Sequence, residues 1–197
     1  GYLTAGDIKY QDTNGDGQIT DADKRRLGKS GKPRGQFGIN LNMSYKGFYL
    51  SALFQGSTKF NMYVAGSLGM QTGQTYGMPV AYDYQTDFWT PDNRDAQYPR
   101  LMANTALNQN NNYASSDFWL INGAYLRMKD FQFGYDFKYS LLKNVSWLTR
   151  CKMGISGQNI FTISQATKYG MDPEPSDTNY YGYPVERTIA LTLNLGF

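Results

Sequence analysis

One stretch of the sequence has residue types and spacing that could do chemistry: Asp12-x-Asn14-x-Asp16-Gly17-Gln18-Ile19-x-x-x-Asp23. Oxygen side chains at the first, third and fifth places of a twelve-residue loop, with glycine at the sixth, fit the EF-hand calcium loop. Calcium is a hard cation that takes several oxygens at once, and this spacing wraps Asp12, Asn14 and Asp16 around one point. Gln18 would add its backbone carbonyl, and Ile19 is the apolar anchor of such a loop. Asp23 closes it where EF-hands carry a bidentate glutamate. No clear helical pattern flanks the loop, so the expected ion is structural Ca2+ in an isolated loop. Magnesium suits it less, because it dehydrates reluctantly. The other reading of these residues is an Asx-rich turn without metal.

No second constellation supports catalysis, and the expectation is a protein that is not an enzyme. The chain has no histidine and a single cysteine, Cys151. That removes His-based zinc sites, Ser-His and Cys-His nucleophiles and any internal disulfide. Asp172 and Glu174 form a carboxylate pair, but on a Pro-flanked loop with no base or metal partner, where charges are expected to face solvent. Net charge is +3 with no basic block; Lys24, Arg25 and Arg26 are the densest cations, and acids precede them. A nucleic-acid partner has no support. What remains is aromatic: Tyr76, Tyr82, Tyr84, Phe88, Trp89, Tyr98, Tyr113, Phe118, Trp119, Tyr169, Tyr180 and Tyr181 lie in polar stretches, beside the amides of 108–112. Such rings can stack on sugars while amides bind hydroxyls. They can equally form the small cores that long loops need, which is the favoured reading for any one of them. Tyr76, Tyr84, Trp89, Trp119, Tyr180 and Tyr181 are the candidates for contact with a substrate or partner.

The elements that must position these residues repeat with period two. At the end of the chain Ile189, Leu191, Leu193, Leu195 and Phe197 alternate with Thr188, Ala190, Thr192, Asn194 and Gly196. That is a strand with one greasy face and one wet face. Phe37, Ile39, Leu41, Met43 and Tyr45 repeat the pattern. Phe48, Leu50, Ala52 and Phe54 follow across a Lys46-Gly47 turn, so the two runs read as a hairpin, with Leu53 out of phase. Phe131, Phe133, Tyr135 and Phe137 alternate with polar residues, but Leu126 and Met128 stand in the opposite phase, which predicts a bulge near Lys129-Asp130. Cys151, Met153 and Ile155 supply another strand, with Cys151 inert on the greasy face. Lys152, Asp130, Asp136 and Gln158 fall on the wet face, lining a path or pairing with neighbouring side chains there or with residues of a plug.

About five strands result, each near the ~10 residues that a tilted membrane strand needs. No apolar run approaches the ~20 residues of a membrane helix. Aromatics are 16% of the chain and charged residues 18%, a mix suited to strands that meet lipid outside and water inside. Long polar connections (57–123 and 164–184) alternate with short ones (46–47 and 138–146), as outer loops alternate with periplasmic turns. The expected fold is all-β: a transmembrane antiparallel β-barrel of which this chain is the last part, Phe197 at the periplasm. A soluble antiparallel sandwich is the alternative, since alternation with one polar face occurs there too. Gly1-Tyr2-Leu3-Thr4 has neither a charged n-region nor an apolar h-region, and is read as the start of a fragment rather than a signal peptide.

Several segments resemble a known family. They are Gly6-Asp7-Ile8-Lys9-Tyr10, Asp12-Thr13-Asn14-Gly15-Asp16-Gly17, Tyr45-Lys46-Gly47-Phe48, Asp87-Phe88-Trp89-Thr90-Pro91-Asp92-Asn93, Ala124-Tyr125-Leu126-Arg127-Met128-Lys129, Ser156-Gly157-Gln158-Asn159-Ile160-Phe161-Thr162 and Tyr183-Pro184-Val185-Glu186-Arg187-Thr188. In this order they resemble the C-terminal region of the SusC/RagA-like TonB-dependent transporters of Bacteroidetes. The resemblance implies the end of a barrel of about 22 strands in a Gram-negative outer membrane. It implies import of glycan or peptide oligomers under a SusD-like lipoprotein lid, powered through TonB. On this reading residues 1–35 are an extracellular segment carrying the calcium loop, and 36–197 are the closing strands. The plug and the TonB-contacting region belong to the remainder of the same barrel protein, not to this chain. Five strands cannot close, and an open edge in lipid is prohibitive, so Ile189, Leu191, Leu193, Leu195 and Phe197 mark a barrel-closing strand that pairs with strands elsewhere. A secreted, calcium-stabilised β-domain for carbohydrate binding or adhesion is the alternative function, and a passive porin is disfavoured by the motifs.

Overall fold

A computed structural model describes residues 3–64, 86–102, 109–174 and 185–197. Its strands are β1 (Gly35–Tyr45), β2 (Phe48–Thr58), β3 (Asn61–Tyr63), β4 (Leu120–Asn122), β5 (Tyr125–Asp136), β6 (Arg150–Gln158), β7 (Thr162–Ser164) and β8 (Thr188–Gly196). Helical structure among the described residues is limited to short 3-10 turns, and no helix is long and apolar enough to cross a membrane. The chain divides into two compact units, Lys32–Asn61 with Asn122–Phe197, and Gly1–Gly31 with Met62–Ile121.

The first unit is a wholly antiparallel sheet in the order β1-β2-β5-β6-β8, with β7 paired to the start of β5. These are the five strands that the alternation outlines. Lys46 and Gly47 take φ of 47° and 89°, the two positive angles of a two-residue hairpin turn whose twist matches that of its strands. Gly47 is required twice over, because a Cβ there would lie 2.8 Å from the Tyr135 ring. The expected bulge is present: Leu53 faces Asp130 while Phe54 faces Met128, leaving Lys129 as the extra residue. One added residue inverts the facing of everything before it. Leu126 and Met128 therefore join Phe131, Phe133 and Tyr135 on one face, while Leu53 lies on the other, opposite Asp130.

The second unit ties the N-terminal segment to a distant part of the chain. The Asp7 side chain is 2% exposed and takes a forked ion pair from Arg100 at 2.8 and 3.2 Å. Buried Asn112 donates to Asp7 Oδ1 (2.9 Å) and accepts the Ile8 amide (2.8 Å). Asn111 Nδ2 donates to the Ile8 carbonyl, and the Tyr10 hydroxyl donates to the Asn111 carbonyl. Burial pushes the Tyr10 phenol above its ordinary range. Gly6 lies flat beneath the Trp89 ring, where a Cβ would come within 2.5 Å. The Gly6-Asp7 motif is thus a fastening point.

Candidate functional site

The two faces of the sheet define what the first unit can do. Residues opposite one another in an antiparallel pair share a face. Met43 opposes Leu50, Leu50 opposes Phe133, Phe133 opposes Ile155, and Ile155 opposes Leu191. Rows of this kind make one continuous apolar face across all five long strands. It is bare: Leu191 is 86% exposed, Ile189 71% and Met43 65%. Ile189, Leu191, Leu193 and Leu195 all lie on it, as the alternation requires, and Cys151 lies opposite Leu195. So large an apolar surface is a liability in water and an asset in hydrocarbon.

The opposite face is polar and small. Ser51 Oγ donates to Asn42 Oδ1 at 2.9 Å across β1 and β2. Tyr49, Gly134 and Gly154 fall in one cross-strand row. The tyrosine lies flat over the glycines, where a Cβ on Gly134 would meet its hydroxyl at 2.5 Å. Lys152 places its Nζ over the same ring, 5.3 Å from the centroid. Asp136 pairs with Lys152 in register, and Asp130 with Gln158, so the four wet-face residues lie together on this side. Asp136 also caps the turn that follows it, accepting the Lys138 amide at 3.0 Å.

Aromatics gather where the connections are short. Phe48 packs edge-on against Tyr135 at 4.7 Å, and Trp147 stacks on Phe197 at 5.8 Å with the rings 6° apart. Tyr45, Tyr139, Trp147 and Phe197 are exposed there. Lys138 Nζ donates to the Val145 carbonyl at 2.6 Å and fastens the 137–149 connection. A belt of amphipathic rings at the margin of an apolar band is the signature of a membrane–water interface.

The Asp172 and Glu174 pair corrects the sequence reading. These carboxylates do not simply face solvent. Arg127, 3% exposed, reaches Asp172 Oδ1 and Glu174 Oε2 at 2.6 Å each, and Lys129 Nζ reaches Glu174 Oε2 at 2.8 Å. Arg127 Nε donates to Thr162 Oγ1 (2.8 Å), and Gln55 Nε2 donates to Glu174 Oε1 (3.3 Å). Sequence reading missed the cluster because its halves lie 45 and 47 residues apart. The signal available was an arginine beside a phase change in the strand pattern.

In the Asp12–Asp23 loop the oxygens engage the loop's own amides. Asp12 accepts from Gly15 (2.6 Å) and Gly17 (2.8 Å), Asn14 Oδ1 from Asp16, and Asp16 from Gln18. Asp23 accepts from Thr13 and Thr20 at 2.8 Å and completes a capping box with Thr20. Backbone hydrogen bonds from Thr20, then Thr13 and Asn14, hold its carboxyl below the usual carboxylate range. Among the described residues no three Asp, Glu, Cys or His side chains converge on one point. In donor chemistry the set fits a hard cation: three carboxylates, the Asn14 amide oxygen and the Gln18 carbonyl.

Of the loop aromatics, Tyr76, Tyr82, Tyr84, Tyr180 and Tyr181 lie outside the described residues. Trp119 is 4% exposed and donates its Nε1 to the Asn112 carbonyl at 2.9 Å. It stacks with Tyr113 and Tyr98 and meets Phe118 edge-on at 4.8 Å. Trp89 is half-buried over Gly6.

An antiparallel sheet of strands this long, bare and apolar on one side and polar on the other, is the wall of a membrane-spanning β-barrel. No family model matches the chain. Over 95% of its length it is 28% identical to TonB-dependent receptor P3 of Formosa agariphila, and over 98% it is 28% identical to TonB-dependent receptor P26 of that organism. The chain spans about a fifth of the length of these curated relatives. Its fold is similar to that of a chain of the RagAB peptide importer in the "open-open" state (TM-score 0.60, 21% identity, 91% of this chain and 19% of that one). The "closed-closed" state gives 0.57 at 22% identity over 80% of this chain and 16% of that one. In sequence the chain is similar to TonB-dependent receptors and in fold to part of the RagAB importer, in line with the resemblance that its motifs carry.

Proposed function

We propose that this chain supplies the C-terminal strands of the barrel wall of an outer-membrane importer. The importer is driven through TonB and takes up oligomeric nutrients, glycans or oligopeptides, beneath a SusD-like surface lipoprotein. The observation that carries this reading is the bare apolar face across five antiparallel strands, backed by a polar face. Such a sheet cannot lie in hydrocarbon alone. Among the described residues no strand pairs with the outer edges of β1 and β8, and each N–H or C=O group left unpaired there would cost several kcal/mol in lipid. Strands of the same barrel must pair with both edges, and the polar face then lines the lumen. On this reading the short connections and the aromatic belt with Phe197 form the periplasmic rim, and the long connections lie outside. The likeness to a peptide importer supports oligopeptides as one cargo class. Trp89 and Phe118 keep ring surface that a lid can meet, while Trp119 works from within by holding its loop.

The test uses the full-length protein in cells and isolated membranes. It should float with outer membranes, need detergent for extraction, and run as a compact band on gels until boiled. Uptake of labelled oligopeptides or oligosaccharides should stop on adding a proton uncoupler. A soluble monomer obtained without detergent would overturn the reading in favour of a secreted, calcium-stabilised β-domain. Uptake indifferent to the uncoupler would indicate a passive pore.

A second reading concerns the Asp12–Asp23 loop. Its oxygens surround one turn, with the Gly17 amide tied to Asp12 to bend the chain at the sixth place. We propose that it takes a structural calcium ion, with Asp12, Asn14, Asp16, Gln18 and Asp23 as the donors.

A further inference from the structure

We infer that Arg127 is a positioning residue that locks segment 166–174 as a fixed strap across the polar face of the sheet. The inference rests on reading that face as the lumen of a barrel. A barrel wall does not itself need this cluster, since the connection after β7 could run outward into water. Instead it turns back. The 3-10 turn Ala166–Tyr169 ends at Gly170, whose φ of 67° redirects the chain. Ala166, Tyr169, Met171 and Pro173 are all buried.

Arg127 stands opposite Gln55, toward the end of the sheet that carries the long connections, and on the face that Gln55 shares. Its guanidinium has a partner in each direction: Thr162 on β7, then Asp172 and Glu174 on the strap. Lys129, set free of the ladder by the bulge, supplies the second cation, so two positive and two negative groups balance. The Glu174 amide donates to Asp172 Oδ1 at 2.9 Å and fixes the two carboxylates relative to each other. A cation this deeply buried is tolerated only while paired, and removing one partner of such a pair is far costlier than never having built it. The strap is therefore a fixed part of the wall, and cargo crossing the lumen passes it.

The experiment follows Met171→Cys in a Cys151→Ser background of the full-length protein, using a bulky maleimide on isolated outer membranes. Labelling should be slow while the latch is intact, because Met171 is buried. Arg127→Met should raise the rate by roughly tenfold or more, since a buried ion pair left half-made favours the open strap. Arg127→Lys, which keeps the charge and loses the fork, should recover a large part of the protection. Asp172→Asn with Glu174→Gln should open the strap from its own side without touching β5. If Arg127→Met gives no compact unboiled band, this strap-side pair decides alone. Unchanged labelling in a folded strap-side variant would overturn the proposal. Flotation tests the barrel reading separately, and if the protein does not float the same labelling comparison is made on the purified full-length protein.

Discussion

Asp23 shows how one carboxylate organises twelve residues. Its oxygens collect the Thr13 and Thr20 amides, and those bonds hold its carboxyl below the ordinary range. A lowered folded value means the bonds stabilise the loop fully above the ordinary aspartate value of ~3.9, and that this contribution is lost as the pH falls below it through the lower folded value. Calcium competes with protons for the same oxygens. With chelator present, hydrogen exchange at Thr13 and Thr20, corrected for intrinsic rate, should be flat above about pH 5 and accelerate below about pH 4. Millimolar calcium should move that acceleration to lower pH, and Asp12→Ala should abolish the movement. An onset indifferent to calcium would refute the metal reading. Protection unchanged through the acid range would refute the role given to Asp23.

At the scale of the element, the bulge in β5 decides which residues meet lipid. Lys129 is one residue too many against β2, and that excess turns Tyr125 and Arg127 to the polar face while Leu126 and Met128 stay on the apolar one. Deleting Lys129 would leave Met128 against Phe54 and Arg127 against Gln55 in an unbroken ladder, so every residue would keep its face. The variant would lose the Lys129–Glu174 ion pair and nothing of the Arg127 cluster. The deletion variant and Lys129→Ala should therefore both keep most of the compact, unboiled band. A band lost in the deletion alone would mean that the bulge is needed for more than setting the facing.

For the molecule as a whole, the sheet must read lipid and lumen as different solvents. Leu191 is the most exposed residue of the apolar face, and its neighbour Ala190 points the other way. Leu191→Arg should cost ~2–4 kcal/mol if it lies near the bilayer midplane. Ala190→Arg, one residue away on the polar face, should cost far less. Urea titration of the protein in lipid vesicles, read by the unboiled band, separates the two. Equal costs would mean that both faces meet water, and the barrel would have to be abandoned.

How much of this was legible in the sequence follows from the range of the forces involved. Alternation is covalent geometry: successive side chains of a strand point to opposite faces whatever surrounds them. The five long strands, their two faces, the Lys46-Gly47 turn and the bulge could all be read from residues in order, and the run from Ile189 to Leu195 already stated which side is greasy. Strand β8 begins at Thr188, where its ladder with β6 ends opposite Gln158. The tertiary structure alone decided which distant segments meet. Asp7 and Arg100 pair across 93 residues, and Arg127 reaches Asp172 across 45. Nothing local announces such pairs, because a charge in a loop has the same sequence whether it ends in water or against a buried guanidinium. Only packing, which removes the water, makes the second outcome the stable one.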